Sequence, residues 1–190
     1  LSHNAAVLRA TLSQGQELMA VVKADAYGHG AVPVCRRLWK AGVRAFAVAC
    51  LAEGIALRKA GIRGTILILG YTPPEEVPLL RRWRLTQTVV DAAHGRALSA
   101  QGEKVHVHLA LDTGMHRLGI PANGRSEIAA MYRLPHLQIT GTFSHLCVAD
   151  SPAEEDIAYT QHQLDTFYDA VAWMRDSGYP PGRIHVQASY

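Results

Sequence analysis

Nowhere does this chain hold an apolar run near the roughly 20 residues that a membrane-spanning helix needs, and no charged-then-apolar secretory segment opens it. Basic residues are scattered singly or in pairs and the formal net charge is only +3, which describes a solvated surface and gives no footprint for nucleic acid. Cysteine is scarce: Cys35, Cys50 and Cys147 are widely spaced and form no CxxC pair. A disulfide framework and a zinc site are therefore not indicated, and a reducing compartment, the cytoplasm, is expected. Cys147 reads as a small buried hydrophobe. Internal repeats, low-complexity tracts and a Rossmann-type glycine fingerprint after the first strand are also missing. What is present, 48% hydrophobic and 18% charged residues in 190, is enough for one good core and one domain.

Strand-like and helix-like segments alternate from end to end. Residues 19–25, 45–50, 65–70, 85–90, 105–112, 137–146 and 183–189 read as strands, and between them lie helical segments near 32–40, 51–60, 92–101, 126–133 and 154–177. Gly42 and Gly61 are placed as helix stops, Asp91 as a helix cap, and Pro73-Pro74-Glu75-Glu76 as a helix start. Alternation of this kind predicts parallel βα units. Polar candidates at the ends of several different strands favour a (β/α)8 TIM-type barrel over an open sheet, with seven of the eight strands present. The chain begins at Leu1-Ser2-His3-Asn4 without methionine and stops at Ser189-Tyr190 after an apolar run. Both ends are expected to be cut, leaving residues 1–190 as a single partial barrel domain of a longer protein.

The stretch Met19-Ala20-Val21-Val22-Lys23-Ala24-Asp25-Ala26-Tyr27-Gly28-His29-Gly30 organises the reading. A strand of small and branched residues ends on a lysine, and burying an ammonium there is costly unless it is paired or neutralised. A salt bridge, for instance with Asp25, is one explanation; a lysine poised as the nucleophile of a Schiff base is the other. The glycine-punctuated turn that follows lets backbone approach a ligand closely and offers the Tyr27 hydroxyl as a donor, with His29 as a turn residue. This stretch resembles the pyridoxal-phosphate attachment motif of the alanine racemase family almost residue for residue.

Three more motifs match that family in order. Leu111-Asp112-Thr113-Gly114-Met115-His116-Arg117-Leu118-Gly119-Ile120 is similar to its Asp-Thr-Gly-Met-x-Arg-Leu-Gly stretch; an aspartic protease is dismissed, because that all-β fold needs two Asp-Thr-Gly copies. By the resemblance Arg117 contacts the cofactor's phenolic oxygen, a task that suits a permanent cation. A lysine that in the family often orients this arginine is here Ala110. His145, in Gly141-Thr142-Phe143-Ser144-His145-Leu146, corresponds to a histidine packed by the cofactor ring. His185-Val186-Gln187-Ala188-Ser189 resembles His-x-Ala-Asn-Ser, with Ala188 in the asparagine position. Ser189 and Tyr27 would then donate to the cofactor phosphate. His106 and His108 lie two apart on a strand, as in some metal-dependent barrels, but early in it, so packing is expected rather than a metal site.

The resemblance implies a pyridoxal-phosphate-dependent isomerase interconverting L- and D-alanine for peptidoglycan, with Lys23 holding the cofactor and moving the α-proton on one face. It further implies a homodimer with a shared active site. The opposite-face tyrosine would come from the partner's C-terminal β-domain, and the arginine facing the pyridine nitrogen from an eighth strand, both outside this chain. The isolated 190 residues are accordingly expected to bind cofactor weakly and not to racemise at a normal rate. Residues 143–151 and 187–190 look locally like the membrane-linked serine/alanine racemases of vancomycin-resistance clusters, which keeps serine as a second substrate and the cytoplasmic domain of a membrane protein as a second location. A non-enzymatic cofactor carrier and a decarboxylase on the same barrel are the readings from other classes.

Overall fold

Short runs of small and branched residues become strands because both of their faces are buried. The computed structural model describes residues 1–187, which divide into two compact units between Gln87 and Thr88. The first unit runs through α1 (Ser2–Ala10), β1 (Met19–Val21), α2 (Lys23–Tyr27), α3 (Ala31–Lys40), β2 (Ala45–Val48), α4 (Leu51–Lys59), β3 (Thr65–Ile68) and α5 (Val77–Arg82), and β4 (Thr86–Val89) crosses the division. β1 pairs in parallel with β2, β2 with β3, and β3 with β4, in registers that include Val21↔Ala47, Val48↔Ile68 and Ile68↔Gln87. All four residues of β2 are buried, as are the last three of β3.

Glycine ends the helices of this unit as expected. Gly42 and Gly61 adopt φ 91° and 82° after α3 and α4. The next amides, of Val43 and Ile62, reach back to the carbonyls of Leu38 and Leu57 at 3.0 Å each. Arg58, on α4, gathers the segments ahead of β3 and β4 by donating to the carbonyls of Ile62, Gly64, Trp83 and Arg84. Gln87, fully buried in a strand, is satisfied by the Thr72 hydroxyl at 2.6 Å and the Gly70 carbonyl at 2.7 Å.

The second unit contains α6 (Ala92–Ala100), β5 (Val105–Asp112), β6 (Ile120–Pro121), α7 (Arg125–Tyr132), β7 (Leu137–His145), α8 (Glu154–Asp176) and β8 (Arg183–Gln187). Its strand pairs are again parallel, β5 with β7, β7 with β8, and β6 with β5. The Asp91 side chain caps α6 by accepting from the His94 amide at 2.7 Å. Among the described residues no helix is long and apolar enough to cross a membrane.

Two expectations are corrected. The first strand stops at Val21 and does not continue to Asp25; residues 24–27 leave the sheet in a left-handed turn. β6, absent from the sequence reading, is two residues that re-join β5 after the Asp112–Gly119 loop, with Leu111↔Ile120 in register.

His106 and His108 do not act as a pair. His106 is exposed, whereas His108 is buried and its Nδ1 lies 2.9 Å from Nε2 of His185. Gly141 must be a glycine here, since a Cβ would stand 2.6 Å from the His108 ring. His185 stacks on Phe143 at 4.8 Å and 7°. Burial first, then the neighbouring His185 and Arg183 charges, push His108 down to about 3, and burial pushes His185 down to about 4. Above the ordinary value of 6.5 both rings are neutral in either state; below it the unfolded chain takes up protons that the folded one does not. Stability is thus predicted to fall as pH drops from 6.5 towards about 4, by about 1 kcal/mol per pH unit per imidazole. Thermal melts of wild type and a His108→Leu/His185→Phe double variant check this: the variant should lose less on acidification, and parallel pH profiles would contradict it.

Candidate active site

In the first unit the site begins where the β1–β2 ladder ends. Val22 still donates to the Ala47 carbonyl at 2.8 Å. Ala24, Asp25, Ala26 and Tyr27 then take φ of 50–55°, four consecutive non-glycine residues in the left-handed region. Each costs roughly 1 kcal/mol or more relative to right-handed backbone, so the turn persists only if its surroundings hold it. Two carboxylates do so. Glu53 accepts from the Ala24 amide at 2.8 Å through Oε1 and from the Ala49 amide at 2.7 Å through Oε2. Asp25 Oδ1 accepts from the Ala31 amide at 2.6 Å, tying the turn to the start of α3. Within the turn Ala26 N donates to Val22 O and Gly28 N to Ala24 O, and Gly28 and Gly30 continue at φ 85° and 84°.

Lys23 is half-buried, and among the described residues its amine makes no ion pair with a carboxylate. Among those residues it forms no salt bridge with Asp25, whose Oδ1 accepts from the Ala31 amide at the start of α3. Among the described residues the contact of the Lys23 amine is with the Tyr27 ring, 6.0 Å from Nζ to its centroid. Tyr27 is itself 56% exposed, its hydroxyl within reach of solvent or a ligand.

In the second unit the Asp112–Gly119 loop is fixed from its first residue. The Asp112 carboxylate accepts from the amides of Gly114 and His116, each at 3.0 Å, and from His116 Nδ1 at 2.9 Å. Burial alone would raise the Asp112 pKa, but these bonds together with the His116 charge outweigh it and hold the group below the usual carboxylate value. His116 sits at φ 55°, and Gly119 at φ 118° is a necessary glycine because a Cβ would lie 2.7 Å from the Asp112 amide. Arg117 is exposed on this loop. Ala110, buried in β5, puts no cation beside it; the loop's shape is set by Asp112.

Gln163, fully buried on α8, links the ends of β5 and β7. Its Nε2 donates to Thr113 Oγ1 and to the His145 carbonyl, each at 3.3 Å, and its Oε1 accepts from the Cys147 amide at 3.1 Å. Ser144 completes the lattice, 2.8 Å from both Thr113 Oγ1 and the Leu111 carbonyl. Tyr159, also on α8, donates to the Gly114 carbonyl at 2.9 Å.

The sequence candidates therefore fall in two groups. Lys23 and Tyr27 are neighbours in the first unit; in the second, Arg117 lies on the loop after β5 and His145 is the last residue of β7; Ser189 lies outside the described residues. The sequence reading missed Glu53 and Gln163. Glu53 had a signal, an acidic residue in the third position of a helix, from which a carboxylate reaches back to amides before the first turn. Gln163 had none, being one of many polar residues on a long helix.

The family model for the alanine racemase N-terminal domain matches residues 1–190. The chain belongs to this family. It is 43% identical over its whole length to an amino-acid racemase of Enterococcus faecalis and 42% identical to a serine/alanine racemase of Enterococcus gallinarum, covering 27% of each. In structure it is similar to an alanine racemase of Clostridium difficile in complex with cycloserine, with a TM-score of 0.88 and 34% identity over 98% of this chain and 51% of that one. The chain thus spans between about a quarter and about half the length of these family relatives. The fold class is the TIM-type barrel of the family, as the polar residues at the ends of several parallel strands led us to expect.

Replacing Gln163 with leucine removes its bonds to Thr113 Oγ1, the His145 carbonyl and the Cys147 amide, the last two part-buried, and with them the link between the ends of β5 and β7. Gln163→Leu is predicted to destabilise the protein by about 2–4 kcal/mol in urea denaturation. A loss under about 0.5 kcal/mol, the scale of an ordinary surface change, would show that Gln163 does not bind the strand ends together.

Proposed function

We propose that the protein containing this chain is a pyridoxal-phosphate-dependent amino-acid racemase acting on alanine. The observation that carries this reading is Lys23: a lysine two residues after β1, in a family of racemases, whose amine makes no ion pair among the described residues, the nearby acids Asp25 and Glu53 each accepting backbone amides. The donors fit the cofactor's chemistry: a primary amine for an aldehyde, a phenol and a hydroxyl for a phosphate, and a permanent cation for a phenolic oxygen.

When bound, pyridoxal phosphate supplies an electron sink that acidifies the α-C–H of an attached amino acid. This chain's own residues would supply one face of the site. Lys23 would hold the aldehyde carbon and, once displaced by substrate amine, take up or return the α-proton on one face. Tyr27 and Ser189 would donate to the phosphate, Arg117 would hold the phenolic oxygen as its anion, and His145 would pack against the ring. A tyrosine of a partner subunit would serve the opposite face, making a homodimer the working form. D-Alanine for peptidoglycan is the product we assign, made in the cytoplasm, where unpaired thiols such as Cys35, Cys50 and Cys147 persist.

Serine is retained as a second substrate, on the 42% identity to the serine/alanine racemase. With the gene product at the full length encoded, pyridoxal phosphate and heavy water, α-proton exchange of L-alanine should accompany formation of the D-enantiomer, and the alanine-to-serine rate ratio gives the preference. Lys23→Ala should lower exchange by at least about 10²-fold. Cofactor attachment at Lys23 without exchange would favour a carrier protein and overturn the racemase.

A further inference from the structure

Where β1 and β2 end, their ladder leaves two amides without a strand partner, and one side chain takes both. The pairing Val21↔Ala47 is followed by Val22 N donating to Ala47 O. Continued in parallel register, Ala24 would bond with Ala49. The chain turns left-handed instead, and Ala49 O serves Gly70 N of the segment after β3. The amides of Ala24 and Ala49 both point to Glu53, at 2.8 and 2.7 Å, one to each carboxylate oxygen. Ala24 is the residue directly after Lys23. The turn it opens also faces a cavity of about 230 Å³, lined by Val22, Asp25, Val32, Val48, Glu53 and Leu57 among others, so hydrogen bonds must do what packing alone does not.

We propose that Glu53 is the positioning residue of Lys23: by clamping the amides of Ala24 and Ala49 in one carboxylate, it holds the left-handed turn and thereby the direction in which the Lys23 amine leaves β1. This rests on the assignment of Lys23 as the cofactor lysine. A glutamine keeps one acceptor but sets an NH₂ group against the other amide. An aspartate keeps the charge but is one methylene short of bridging both. A clamp is therefore damaged by either change, whereas a role for the negative charge alone survives in aspartate.

The test uses the full-length gene product with added pyridoxal phosphate and borohydride. Lys23 Nζ adds to the aldehyde carbon, water leaves, and borohydride delivers hydride to the C=N bond while water supplies the proton, leaving a stable pyridoxyl label on the Lys23 peptide for mass spectrometry. Glu53→Gln and Glu53→Asp should each slow labelling about tenfold, the factor expected for one lost charge-assisted hydrogen bond, without moving the pH midpoint of the labelling rate. In turnover, kcat should fall with KM little changed. A core variant on β3, Ile66→Val, separates position from general destabilisation, and it should label at the wild-type rate.

Labelling of both Glu53 variants at the wild-type rate would overturn the proposal. So would a shifted midpoint in Glu53→Gln with wild-type behaviour in Glu53→Asp, which marks a charge effect, or equal slowing in Ile66→Val. A wild-type protein that takes no label at Lys23 would overturn the cofactor assignment, and the clamp with it.

Discussion

The site depends on a conformation that its own residues disfavour. Four consecutive L-residues in left-handed backbone have no intrinsic reason to stay there, and the carboxylates of Glu53 and Asp25 supply one by accepting amides that the turn withdraws from the sheet and from the start of α3. Both acids accept backbone amides, and among the described residues neither pairs with Lys23.

The second unit uses the same kind of device at its strand ends. Asp112 gathers the amides of Gly114 and His116, and Gln163 reaches across from α8 to Thr113, His145 and Cys147. Loops at the ends of parallel strands carry polar backbone that the sheet cannot pair, so buried side chains of fixed geometry must satisfy it. These bonds fix the backbone of the loop that carries Arg117 and of the end of β7 at His145.

Most of the fold was legible in the chain because its strands are short, apolar and punctuated. β5 begins and ends where alternation and the Asp-Thr-Gly loop place it, and Gly42, Gly61 and Asp91 end or cap helices as their chemistry dictates. β1 was read too long because Ala24 and Ala26 carry no mark of a left-handed turn; nothing local distinguishes them from strand alanines. β6 is too short for any periodicity. Lys23 stood out by its own chemistry and its motif, whereas Glu53 bonds Ala24 from 29 residues away and Gln163 bonds Thr113 from 50, contacts that exist only once the strands are aligned. For the same reason Asp25 looked like a partner for Lys23: adjacency in sequence hid its bond to Ala31.

The left-handed turn after Lys23 is held rigid by carboxylates, and amide hydrogen exchange resolved at Ala24, Ala31 and Ala49 reads this directly. All three amides should be protected about 10²-fold or more relative to open chain, since each is bound to a carboxylate. Exchange of Ala24 and Ala31 at open-chain rates, with β2 still protected, would contradict it.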